Sequence, residues 1–136
     1  MDHVSLKVLL GFVAWTLLLL IVMEGMRSWL VLTKAVEANA FQPDNANLSP
    51  FLQRLARAHA NCLESLPVVA VLLIAAMITD RTAVTDPLAP WLLAARVVQS
   101  GVHLASLSVL AVNLRFTAFA AQVAIAVYWT WALLLG

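Results

Sequence analysis

The residues best equipped for chemistry lie close together. Gln53, Arg57, Asn61 and Glu64 recur at steps of four, four and three, with Arg54 beside them. On a helix this spacing gathers two guanidinium groups, two amides and a carboxylate into one polar stripe. A second stripe follows at the same kind of spacing: Arg96, Gln99, Ser100 and His103, extended by Ser106. Further on, Arg115 precedes an uncharged run from Phe116 to Leu135. Glu64 and Arg96 are natural partners and are expected to form a buried ion pair between the stripes. One carboxylate cannot neutralise Arg54, Arg57, Arg96 and Arg115 together. An anionic ligand is therefore implied, and one rich in carboxylates would fit, since arginine pairs with a carboxylate through two donors.

The solvent around these groups follows from composition. The chain has 136 residues, 63% hydrophobic and 11% charged, with a mean hydropathy of +0.94. A soluble domain carries about a quarter charged residues, so the chain is expected to sit in a bilayer. There a charge at mid-helix costs about 2.5 to 3.5 kcal/mol and needs a partner or a wet cavity. A net charge of +1 sets nucleic acid aside, since its readers carry strongly basic faces. The single cysteine, Cys62, permits no intrachain disulfide, and no Cys or His spacing suits a metal.

Four helices in an up-down bundle are expected to position the stripes within one domain spanning residues 1–136. The first runs from about Val8 to Thr33, with Glu24 and Arg27 one turn apart. A signal-peptide reading, cleaved after Ala38-Asn39-Ala40, fails because Glu24, Arg27 and Trp29 separate that site from the apolar run. A polar loop from Glu37 to Leu48 follows. Ser49 and Pro50 then supply a cap and a first helical residue for the second helix, to about Thr79, with a bend expected at Pro67. Asp86-Pro87 repeats that start signal for a third helix over residues 87–112. Asn113 to Arg115 make a tight connection into a fourth helix over residues 116–135, whose Tyr128, Trp129 and Trp131 suit a membrane interface. Lys34, Arg54, Arg57 and Arg115 outnumber Lys7 and Arg81, which puts the first loop in the cytoplasm and both termini outside.

The segment Arg57-Ala58-His59-Ala60-Asn61-Cys62-Leu63-Glu64 closely resembles the Arg-x-x-x-Asn-x-x-Glu motif of the MAPEG superfamily, the membrane-associated proteins of eicosanoid and glutathione metabolism. Arg96 in the third helix, Arg115 opening the fourth, and the helix lengths agree with it over nearly the whole chain. The resemblance implies a homotrimer, of the bacterial type and in the inner membrane, that binds glutathione between subunits and aims its thiol at a lipophilic co-substrate. Arg54, Arg57, His59, Asn61, Glu64, Arg96 and Gln99 would hold glutathione. Arg115 would stabilise the thiolate, helped by Thr117. In eicosanoid-forming members the arginine opening the fourth helix is followed by serine and, a turn on, tyrosine. Here Phe116 and Phe119 stand in those places, and neither can hydrogen-bond a thiolate. A general glutathione transferase or peroxidase for hydrophobic electrophiles is the expected activity, with a related thiol as a variant.

Other readings of the same residues are weaker. Haem would need facing histidine pairs, which His59 and His103 do not make. Cys62 reads as a small hydrophobe. A four-helix exporter could use Glu24 for proton exchange, but Arg27 and the arginine excess would repel a cation. A non-catalytic scaffold would bind neither glutathione nor a cation.

Overall fold

A computed structural model describes residues 2–136 and is helical throughout its regular structure. The elements are α1 (Val4–Leu32), α2 (Pro50–Ile78), α3 (Thr82–Thr85), α4 (Ala89–Ala105) and α5 (Val109–Leu135). Helices α1, α2 and α5 are each long and apolar enough to cross a membrane. With Leu10, Ile21, Val71, Ile78 and Leu134 among the many large apolar side chains facing outward, the chain is an integral membrane protein. Lipid, unlike water, is a compatible neighbour for that surface.

Contacts at the two ends fix the direction of each helix. At one end the start of α1 meets α3: Asp86 accepts hydrogen bonds from the Ser5 backbone N–H at 3.0 Å and the Ser5 hydroxyl at 2.5 Å. Arg81 donates there to the carbonyls of Ala132 and Leu133 at 2.8 and 2.9 Å; the Ala132 carbonyl also accepts from the Gly136 N–H, whereas Leu133, in the last turn of α5, has no helical donor of its own. At the other end Arg54 donates from Nε to the carbonyl of Leu104 at 3.0 Å. Helices α1, α2, α4 and α5 therefore alternate in direction, and the start of α1 and the end of α5 share one end.

The first helix starts four residues early, at Val4, and the boundaries of the later helices change. The Asp86-Pro87 pair does not cap α4, which begins at Ala89 with no side-chain cap. Asp86 ends α3 and caps α1 from a distance, where His3 offers no capping bond of its own. The third long helix stops at Ala105 rather than residue 112. Ser106 accepts from the Ser108 N–H, and Ser108 accepts from the Ala111 N–H at 3.2 Å. Serines that bond nearby backbone in this way interrupt a helix and start another. The last helix therefore opens at Val109, and Arg115 lies in its second turn instead of at its mouth. Ser49 caps α2 as expected, and α2 continues through Pro67, whose missing N–H leaves the Leu63 carbonyl without its helical donor.

Buried apolar side chains form two clusters. One joins Phe12, Leu73, Leu92 and Trp129; the other joins Leu19, Met23, Leu55 and Cys62. The loop between α1 and α2 is held by Arg27, which pairs with Glu24 at 3.1 Å and donates from Nε to the Asn45 amide oxygen at 2.9 Å. Asn45 is fully buried, has a φ of 56°, and donates in turn to the Leu52 carbonyl at 2.8 Å. Asn45→Ala is expected to destabilise the protein by about 2–3 kcal/mol, by unpairing these groups and placing alanine in a left-handed conformation. Thermal unfolding in detergent measures this, and an unchanged midpoint would contradict it.

Candidate functional site

A cavity of about 590 Å³ opens between α2, α4 and α5. Asn61, Glu64 and Ser65 reach it from α2, Arg96 and Gln99 from α4, and Arg115 and Gln122 from α5. Its remaining walls are apolar: Val68, Val69, Val112, Phe116, Phe119, Val123 and Ala126. On α5, Arg115, Phe119, Gln122 and Ala126 recur at steps of four, three and four, the spacing of one helix face. Polar and apolar surfaces thus share one chamber, suited to a ligand with an ionic part and a lipophilic part, or to two such ligands side by side.

Five of the nine expected site residues line this cavity: Asn61, Glu64, Arg96, Gln99 and Arg115. Four do not. Arg54 spends its Nε–H on the end of α4 and stacks over Phe51. Arg57 is exposed on the outward face of α2. His59 is buried, on the same stripe as Leu52, Leu55 and Cys62. Thr117 is exposed and donates back to the Asn113 carbonyl at 2.9 Å, so within this chain it gives Arg115 no assistance.

The Glu64–Arg96 ion pair does not form. Among the described residues the one ion pair is Arg27–Glu24. Arg96 instead donates from Nη2 to the Ser65 hydroxyl at 2.5 Å, while Glu64, about 100° further round the helix, is exposed. The two polar stripes do not meet as facing surfaces. The stripe of α4 packs inward, where Ser100 contacts Cys62 at 3.5 Å, while on the stripe of α2 Arg57 and Glu64 are exposed and only Asn61 and Glu64 reach the cavity. Gln53 closes the preceding loop by donating to the Leu48 carbonyl at 2.9 Å.

Arg96 is 1% exposed, lies 5.8 Å from the Phe12 ring centroid, and has no protein partner for its Nε or Nη1. The buried Nε of Arg115 is likewise without a partner. Unpaired buried guanidinium donors are costly, and an anion in the adjoining cavity is the partner that would satisfy them. Two residues escaped sequence reasoning. Ser65 was hidden because serine is common in apolar helices. Gln122 carried a signal: it is the one amide in the run from Phe116 to Leu135 and stands seven residues after Arg115.

Comparison with known proteins agrees with the resemblance read from the motif. The model of the MAPEG family matches residues 6–135, nearly the whole chain. No curated protein and no solved structure matches it.

Proposed function

From the premise that the chain belongs to the MAPEG family, we propose that it is a glutathione-dependent transferase or peroxidase acting on hydrophobic electrophiles. The observation that carries this reading is the cavity in which unpartnered buried arginine donors adjoin an apolar wall. Glutathione fits the donors: its two carboxylates are acceptors for Arg57 and Arg96, and its amino group suits Glu64 and Asn61. Its thiol lies against Arg115. A guanidinium close by favours the thiolate, at about 1.4 kcal/mol for each unit by which the thiol pKa falls. The thiolate then attacks an electrophile lodged against Phe116 and Phe119, which exclude water from the reaction.

The proposed working form is a homotrimer in the inner membrane of a bacterium. Arg57 and Glu64 support it, because charged side chains on an outward face within an apolar bundle call for a neighbouring subunit. In this reading α4 is the fourth crossing, the first loop is cytoplasmic, and the termini lie outside. Arg57→Ala is therefore expected to weaken glutathione binding at least tenfold although Arg57 does not line the cavity of its own chain. Titration calorimetry would measure it, and unaltered affinity would refute a site shared between subunits.

Proton-coupled export is disfavoured by the Glu24–Arg27 pair, which occupies the carboxylate that would exchange protons. The detergent-purified protein should form thioether from glutathione and 1-chloro-2,4-dinitrobenzene, or reduce a lipophilic hydroperoxide, with rates that saturate in glutathione. If it does neither while glutathione fails to bind, the assignment is overturned.

A further inference from the structure

The interior of the cavity holds a hydrogen-bonded pair of amides. Gln99 and Gln122 are 7% and 6% exposed. Gln122 Nε2 donates to the Gln99 amide oxygen at 2.8 Å and to the Ala118 backbone carbonyl at 3.0 Å. The second bond fixes the direction of the whole chain of donors. A backbone carbonyl only accepts, so the Gln122 atom facing it is the nitrogen. That nitrogen has then given both its hydrogens, and the Gln99 atom it meets is the oxygen. Gln99 is left with an –NH₂ group whose two hydrogens are not used by the pair. Gln99 and Gln122 both line the cavity, beside Phe119 and Val123.

We propose that Gln99 and Gln122 anchor the electrophile, and that the lipophilic substrate is an α,β-unsaturated carbonyl compound whose oxygen accepts from the Gln99 amide. The proposal rests on the glutathione reading, with Arg115 holding the thiolate. It places Gln99 on the electrophile rather than on the tripeptide, where the family resemblance would put it. Gln122 follows Arg115 by two turns on the same face of α5. The rise between them is about 10 Å, so the amide pair and the Arg115 guanidinium stand at separate points of one cavity, and an enone, whose attacked carbon and charge-bearing oxygen are likewise apart, can meet both.

The step balances without an oxidant or a leaving group. The thiolate sulfur bonds to the β-carbon, and the C=C π pair moves so that negative charge develops on the carbonyl oxygen. The Gln99 –NH₂ is already aimed where that charge appears, which is the arrangement that lowers a barrier. A proton delivered to the α-carbon from water completes the saturated thioether. Gln122 acts as a positioning residue: it holds the Gln99 oxygen, so that the donor and not the acceptor faces the substrate.

The test compares wild type with Gln99→Leu and Gln122→Leu, taking the ratio of kcat/KM for a long-chain enone to that for 1-chloro-2,4-dinitrobenzene. The ratio should fall about tenfold or more in both variants, through kcat more than KM for Gln99→Leu. Ultraviolet absorption of bound glutathione thiolate in the wild type separates the two levels of the account. Thiolate with an unchanged ratio overturns the enone proposal alone; no thiolate overturns the glutathione reading and the proposal with it. A saturated long-chain ketone should also inhibit the wild-type protein more strongly than the hydrocarbon of equal length, whatever the variants' stability. Equal inhibition would overturn the anchor.

Discussion

Replacing Arg115 with alanine is expected to lower kcat for glutathione conjugation about 100- to 1,000-fold, the usual cost of removing a group that stabilises charge at the reacting atom. Arg115 is the cationic side chain that α5 contributes to the cavity, and Phe116 and Phe119 beside it cannot take over its work. Thr117 cannot compensate either, since its hydroxyl is turned back to the Asn113 carbonyl. The thiolate absorption of bound glutathione should vanish together with turnover. Arg115→Lys, which keeps the charge but not the planar donor array, should recover part of both. A variant that turns over at the wild-type rate would remove Arg115 from the mechanism.

Arg96→Met should show effects of opposite sign on folding and on binding. Arg96 is buried with two of its three guanidinium nitrogens unpartnered. Exchanging an uncompensated buried charge for an apolar side chain of similar length should stabilise the ligand-free protein by about 1–4 kcal/mol. Ser65 is not orphaned by the change, because its hydroxyl also bonds the Asn61 carbonyl at 3.1 Å. Glutathione should bind at least tenfold more weakly, as happens when one partner of a desolvated charge pair is lost. Calorimetry of binding and thermal unfolding without ligand read the two effects separately. Destabilisation of the ligand-free protein with affinity intact would mean that Arg96 serves the bundle and not a ligand.

Much of this arrangement was legible in the order of residues, for identifiable reasons. Helices α1 and α2 could be read because long apolar runs have one stable form in lipid, and because Ser49-Pro50 is a start signal used as such. The break between α4 and α5 was less visible. Ser106 and Ser108 sit in an apolar run that continues helically by composition, and only their competition for backbone N–H groups ends α4 at Ala105. Asp86-Pro87 carried the local signature of a cap, yet the carboxylate serves a helix about 80 residues away in sequence. A local motif says that a carboxylate can cap, not which helix it reaches.

The site divides in the same way. Spacing alone placed Asn61 and Glu64 on one face of α2, and Arg96 and Gln99 on one face of α4, but it could not orient those faces. The expected Glu64–Arg96 pair failed because α4 meets α2 at Cys62 and Ser65, each one residue after a member of the charged stripe and so about 100° round the helix from it. His59 fell away for a related reason: its neighbours in sequence belong to the motif, while its neighbours on the helix belong to the apolar core. Gln122 was passed over because it stands alone in its run, and its meaning comes from Gln99 across the cavity.

The central claim is that the buried arginines of this membrane bundle await the anionic end of glutathione. Equilibrium binding of glutathione to the detergent-purified protein, by titration calorimetry at one fixed salt concentration, tests it most directly. Saturable binding that is lost in Arg96→Met and Arg115→Ala, with both variants still folded, is the predicted result. No binding at millimolar glutathione, or binding indifferent to both substitutions, would contradict the account.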